Sequence, residues 1–318
     1  MYKVSVIVPC YNNGQYIEKA IRSLTDQSLD DIEIIVVNNG STDNSWDIIF
    51  SLMKEFPNKV FGYIKEHGNV SSSRNYGLSK VHGEYFGFLD GDDYCDKDMY
   101  ESLYNKAKEN DADWCYSDYY FTYDDHEVEY KEDEYSNNRE MMVHLYSALW
   151  NKIYKTSLFK EIGIEFKESY NEDVVYLFKN APYINKFSKV NKAFVHYVQR
   201  PGSLIHVYDD KVKQMVFNWH TIYDYYKEKE LFEKYHDELE YATIKYMLGQ
   251  PFKRASLIPG KERITTIDLL WNNLNDNFPN WKKNKYLKQF KDNKHRYFRL
   301  LNKNNYHLFS KIFNIINK

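Results

Sequence analysis

Short, unbroken runs of β-branched and aliphatic residues alternate with helix-spaced stretches through the first half of this chain. Residues 3–9 (KVSVIVP), 33–38 (EIIVVN), 60–65 (VFGYIK) and 85–90 (YFGFLD) are four such runs. They lack the polar alternation of a half-exposed strand, so they read as strands covered on both faces, which is the environment of a parallel sheet. Between the first two, Ile17, Ala20, Ile21 and Leu24 recur at helical spacing. The polar run STDNS (residues 41–45) supplies cap residues for a second helix through Ile48, Ile49 and Leu52. Residues 71–81 (SSSRNYGLSKV) read as a third helix. Strand and helix in strict alternation predict an α/β fold with right-handed crossovers.

Beyond Asp118 the pattern becomes mixed. Residues 114–124 (WCYSDYYFTYD) read as strand, 139–150 as helix, 172–180 (EDVVYLFKN) as a short helix, and 192–198 (KAFVHYV) as a strand that closes the sheet. From about residue 208 the reading is almost wholly helical, with breaks at LIPGKE and NFPN. The expected division is therefore a domain over 1–207 and a helical region over 208–318.

Composition bounds the function. A net charge of −3 over 318 residues gives no electrostatic footprint for nucleic acid. Three cysteines without metal-type spacing, Cys10, Cys95 and Cys115, point to a reducing cytoplasm rather than to disulfides or zinc. The N-terminal apolar run is too short for a signal peptide, and no later run approaches a membrane span. Residues 279–318 are rich in Lys and Arg, with Asp292 the only acid. Aromatic and aliphatic residues recur among them. Such a segment fits either a basic amphipathic helix lying on an anionic membrane, at the inner face of the plasma membrane, or a solvated helical cap.

The chemistry concentrates at the end of the fourth run. FLDGDDY puts Asp90, Asp92 and Asp93 at the carboxyl end of a buried strand, where open α/β sheets bind ligands. On extended backbone, Asp90 and Asp92 would share one side, with Gly91 between them allowing close approach. That pair suits a hard divalent cation that also takes phosphate oxygens. The alternative is a solvated acidic loop capping the next helix.

Four segments together, VSVIVPCYNNGQYIEKAIRSLTDQS, EIIVVNNGSTDNS, SSSRNYGLSKVHGEYFGFLDGDD and NEDVVYLF, resemble the family 2 glycosyltransferases. LWNKIYKTSLF and GIEFKESYNED resemble the bacterial polysaccharide and cell-envelope branch. The resemblance implies a GT-A fold, a Rossmann-like, mostly parallel sheet flanked by helices, here with a C-terminal helical extension. It implies a metal-dependent hexosyl- or N-acetylhexosaminyl-transferase that inverts, using Mn²⁺ or Mg²⁺. The donor would be a nucleotide sugar, usually a UDP-sugar, and the acceptor a glycan or lipid-linked hydroxyl.

Carried over by motif, Pro9 and Tyr11 would flank the nucleobase, Asn39 and Arg74 would contact the nucleoside, and Asp90 would approach the ribose. Asp92 would bind the metal. Arg200, in VQRPGSL, and His206 would add positive charge from a closing loop, with His206 also a candidate metal ligand. Glu172 and Asp173 are neighbours at a helix start and diverge by about 100°, so one alone faces the site squarely. The motif makes Asp173 the base that takes the acceptor proton, with Glu172 orienting the acceptor.

Two departures stand out. The family commonly has Asp where this chain has Asn39, and Asn-Gly-Gly where it has HGNVSSSRN, so His67 and Asn69 sit in unusual positions. An amide at 39 can still accept from uracil but lacks charge, which predicts weaker UDP binding, restored by Asn39→Asp. These departures leave room for a catalytically impaired nucleotide-sugar-binding or scaffolding protein. A dinucleotide-dependent dehydrogenase is a third reading, and the lack of a glycine fingerprint after the first strand counts strongly against it.

Overall fold

The structure, a computed structural model, describes residues 1–200 and 210–316. The expected boundary at Val207 and the expected site residue His206 lie outside them. The chain divides into two compact units. One comprises Met1–Asn138, His144–Glu168 and Asn180–Arg200; the other comprises Arg139–Val143, Ser169–Lys179 and Pro201–Lys318.

The first unit is built on a mixed sheet. β1 (Val4–Cys10), β2 (Ile32–Asn38), β3 (Val60–Ile64) and β4 (Tyr85–Phe88) are parallel in the order β3-β2-β1-β4. The connections are α1 (Ile17–Thr25), α2 (Ser45–Glu55) and α3 (Val70–Leu78). Every residue of β1, β2 and β4 is buried, as their unbroken apolar runs require. α1 turns Ile17, Ala20, Ile21 and Leu24 to the same core, the stripe its spacing dictates.

Past β4 the direction changes. The chain continues through β5 (Tyr94–Cys95), α4 (Met99–Glu109), β6 (Trp114–Thr122), β7 (Glu127–Tyr130), α5 (Asn138–His144), β8 (Lys152–Lys155), α6 (Thr156–Ile162), α7 (Glu172–Asn180) and β9 (Phe187–Val198). β8 inserts antiparallel between β4 and β6, β9 runs parallel to β6, and β5 caps the edge antiparallel to β9. β7 pairs antiparallel with β6 as a hairpin.

Here the sequence expectation fails at one place. The helix expected over 139–150 stops at His144, and residues 152–155 are a central strand. Lys152 disguises it. Its side chain is fully buried, with the ammonium 3.5 Å from the buried Glu132 carboxylate and 5.9 Å from the Trp114 ring centroid. A strand with a lysine at its first position does not announce itself as interior.

The second unit adds α8 (Gln214–Glu228), α9 (His236–Leu248), α10 (Gln250–Leu257), α11 (Glu262–Asn277), α12 (Lys285–Gln289), α13 (Asn293–Leu300) and α14 (Tyr306–Ile316). α10 and α11 end at the two predicted breaks. Among the described residues no helix is long and apolar enough to cross a membrane.

Inside this unit Asp292 caps α13, its Oδ1 accepting the His295 backbone N–H at 3.0 Å. Its Oδ2 lies 2.6 Å from His295 Nδ1, and Tyr241 Oη lies 2.6 Å from Nε2. Burial pushes the His295 pKa below its ordinary value of 6.5, and Asp292 only partly offsets that. The neutral ring donates to Asp292 and accepts from Tyr241. As pH falls below about 6.5 the unfolded chain takes up a proton that folded His295 resists, so stability is lost as pH falls through the depressed folded pKa. The melting temperature should therefore drop between about pH 7 and about pH 5, and His295→Gln should flatten that slope. Thermal melts of both proteins across this range measure it.

Candidate active site

In the order β3-β2-β1-β4, β1 has a neighbour on each side, and the connections leave its two flanks in opposite senses. Such a switch point opens a crevice at the carboxyl ends of the strands. Three turns meet there: residues 11–14 after β1, 39–45 after β2, and 90–93 after β4.

The first two turns are laced together. Asn12 N donates to Ser41 Oγ at 3.0 Å, Thr42 N to Asn12 Oδ1 at 2.8 Å, and Gly14 N to Asp43 Oδ2 at 2.9 Å. Asn12 adopts φ 50°, a left-handed conformation that asparagine tolerates better than most residues. Cys10, buried at the end of β1, has its thiol pushed up to about 11, chiefly by burial. The third turn presses on the first. A Cβ at Gly91 would lie 2.9 Å from Asn13 Nδ2 and 3.0 Å from the Pro9 carbonyl oxygen, so this approach requires glycine.

The acidic residues do not continue the strand. Asp93 N donates to the Asp90 carbonyl at 3.0 Å, closing a turn, so the expectation of extended backbone with Asp90 and Asp92 on one side is corrected. Each carboxylate has its own partner. Arg74 Nη2 donates to Asp90 Oδ1 at 2.9 Å, from a side chain that is almost fully buried and packed 5.7 Å from the Phe166 ring centroid. Arg200 Nη2 donates to Asp92 Oδ2, and its guanidinium lies over the Tyr16 ring at 4.6 Å. Asp93 is buried, and its Oδ1 accepts Val198 N–H at 2.9 Å.

Burial and the neighbouring Asp90 raise the Asp92 pKa above its ordinary value, with Arg200 opposing them. Burial and its two acidic neighbours raise Asp93 further. The turn therefore holds more negative charge than its environment favours. Asp92 faces a cation, and a carboxylate oxygen so placed fits a hard divalent ion completed by phosphate oxygens.

Asn39 is committed to the neighbouring loop. Its Nδ2 donates to Gly68 O at 2.9 Å while its Oδ1 accepts Gly68 N–H at 3.0 Å, so one amide satisfies both backbone groups of one residue. His67 Nδ1 lies 3.1 Å from the Asn39 carbonyl, and its ring sits 4.4 Å from that of the half-exposed Tyr11. Asn69 caps α3, its Oδ1 accepting Ser72 N–H at 2.8 Å.

Thus Pro9, Tyr11, Asn39, Asn69, Arg74, Asp90, Asp92 and Arg200 all belong to the first unit. Glu172 and Asp173 open α7 and belong to the second, where Glu172 is buried and Asp173 Oδ1 accepts Val174 N–H at 2.8 Å. Sequence reasoning named Asp93 in the acidic run but gave it no role in the site, and nothing local marks Tyr16 as the ring beneath Arg200. His236, Asp237 and Glu240 also form a group of potential metal ligands in the second unit. There Lys285 Nζ is 2.8 Å from Asp237 and Asn284 donates to Glu240 at 2.7 Å, so those carboxylates already have partners.

The profile of the family described as "Glycosyl transferase family 2" matches residues 5–167. The chain is 31% identical over 230 residues to Glycosyltransferase GlyA of Streptococcus pneumoniae serotype 4, a match covering 66% of this chain and 32% of GlyA. It is 38% identical over 117 residues to the poly(ribitol-phosphate) beta-N-acetylglucosaminyltransferase TarP of Staphylococcus aureus strain N315, covering 36% and 35%. The match thus spans about a third of the length of each relative. The structure is similar to that of S. aureus TarS 1-349 in complex with UDP-GlcNAc, with a TM-score of 0.58 and 21% identity over 90% of this chain and 92% of that one. That likeness shows the GT-A fold.

Asn39→Asp also bears on stability, because the Asn39 amide holds the neighbouring loop. A carboxylate has no donor for Gly68 O and sets two acceptors against each other. Asn39→Asp, which loses the donor to Gly68 O, and Asn39→Ala, which loses both bonds, should each destabilise the first unit by about 1 kcal/mol, and Asn39→Ala should also speed amide exchange at Gly68. Urea denaturation and hydrogen exchange read both. Slow Gly68 exchange in the alanine variant would show that the amide does not hold the loop.

Proposed function

The chain belongs to glycosyl transferase family 2, and from that premise we propose that it transfers a sugar, with inversion, from a UDP-sugar to an acceptor hydroxyl of an envelope glycan. The acceptor is a glycan or lipid-linked chain met in the cytoplasm, at the inner face of the plasma membrane. The observation that carries the reading is the acidic turn after β4. Three carboxylates sit at the switch point, with Arg74 paired to one and Arg200 to another.

Breaking the bond between sugar and diphosphate builds negative charge on the leaving group. A cation placed there therefore stabilises the transition state more than the ground state. Arg200 supplies such a charge, and Tyr16 beneath it limits where the guanidinium points. Asp92, with the donor's phosphate oxygens, would hold Mn²⁺ or Mg²⁺. When bound, that ion supplies Lewis-acid stabilisation of the departing diphosphate. Pro9, Tyr11 and the loop held by Asn39 border the nucleobase, while Asp90, tied to Arg74, turns toward the ribose.

Asp173 takes the proton of the acceptor hydroxyl as that oxygen attacks the anomeric carbon opposite the diphosphate, which inverts the centre. Glu172 orients the acceptor. TarP is named for N-acetylglucosaminyl transfer and TarS was crystallised with UDP-GlcNAc, so UDP-GlcNAc is the first donor to test.

Purified protein given UDP-GlcNAc and Mn²⁺ should release UDP, faster with acceptor present, and EDTA should stop it. Asp92→Ala and Asp173→Asn should each lower turnover by about a hundredfold or more with an unchanged circular dichroism spectrum. Full turnover in Asp173→Asn would remove the proposed base. Turnover indifferent to EDTA would remove the metal.

A further inference from the structure

α14 is apolar on two sides, and among the described residues only one is packed within its unit. On the inner side Ser310 is buried, Phe313 packs 5.4 Å from Tyr297 and 6.4 Å from Phe252, and Tyr306 stacks on Trp271 at 4.7 Å. Tyr306 Oη donates to Asp268 at 2.8 Å, and Asn314 Nδ2 donates to the Ser256 carbonyl at 2.8 Å. These contacts fix the rotation of the helix.

The opposite side then faces solvent. Leu308 is 57% exposed, Ile312 37%, Ile315 75% and Ile316 72%. At about 100° per residue these four fall within an arc of about 100°. A contiguous aliphatic stripe of this kind on a surface marks something that covers it.

The charge around the stripe indicates what that is. Residues 279–318 contain eleven Lys and Arg and one acid, within a chain whose net charge is −3. Lys282, Lys283, Lys285, Lys288, Lys291, Lys294, Lys303 and Lys311 are all exposed, and Lys311 lies on α14 beside the stripe. An exposed apolar stripe on a helix that carries Lys311, within a segment rich in exposed lysines, matches a surface whose interior is hydrocarbon and whose rim is anionic. A second copy pairing through the same face would set two strongly basic regions against each other, which opposes self-association there.

We infer that α14 is a membrane-docking helix. It lies in the plane of an anionic bilayer, with Leu308, Ile312, Ile315 and Ile316 among the acyl chains and Lys311 at the headgroups. The inference stands on the second unit alone and does not depend on the transfer chemistry.

The test is cosedimentation of the full chain with phosphatidylcholine vesicles, with and without phosphatidylglycerol. The chain should bind the anionic vesicles, lose binding as salt rises, and bind pure phosphatidylcholine far less. Ile312→Asp with Ile315→Asp should lower partitioning by about tenfold or more at an unchanged melting temperature. Lys303→Glu with Lys311→Glu, which leaves the helix packing intact, should weaken it and reduce its salt dependence. Three results would each overturn the inference. These are no binding to anionic vesicles, equal binding by both double variants, or an oligomer that the aspartate variants dissociate while wild-type protein ignores the vesicles.

Discussion

The hydrogen bond from Val198 N–H to the buried carboxylate of Asp93 joins the parallel half of the sheet to its far edge. Asp93 follows β4, and Val198 ends β9, which β8 and β6 separate from β4 in the sheet. The bond therefore ties two distant parts of the sheet at their common end. Two residues on, Arg200 meets Asp92. β5, which follows Asp93 directly, pairs with the same end of β9 through Tyr94 and His196, so the Val198 to Asp93 bond extends that pairing to the turn.

Leaving a carboxylate buried is costly unless its charge is compensated or its proton retained. Here burial and the mutual repulsion of the three acids raise the pKa of Asp92 and Asp93, while Arg200 pulls the other way. Arg200 is the positive charge that faces Asp92 in the turn. Gly91, lacking a side chain, lets the turn sit against Pro9 and Asn13.

The apolar runs and helical spacing revealed β1 to β4 and α1 to α3, but β3, at the sheet edge, is not covered on both faces as its run suggested: only Val60 is buried and Ile64 is exposed. Periodicity failed at β8, where Lys152 reaches Glu132 within the interior, a long-range pairing that no local window contains. The acidic run was legible as a site, but its geometry was not. A period of two presumes extended backbone, and the Asp93 to Asp90 hydrogen bond abolishes it. Tyr16 escaped notice because its partner lies far along the chain, at Arg200.

Asn39 shows how a residue at a binding crevice can be selected by a neighbouring backbone. Gly68 presents an N–H and a C=O side by side, and a primary amide can donate to one and accept from the other at once. A carboxylate of the same size can do only half of this. Holding Gly68 also fixes His67, whose ring covers part of Tyr11. The neutral charge at this strand tip thus follows from loop closure, and the aromatic surface beside it is a consequence of the same two hydrogen bonds.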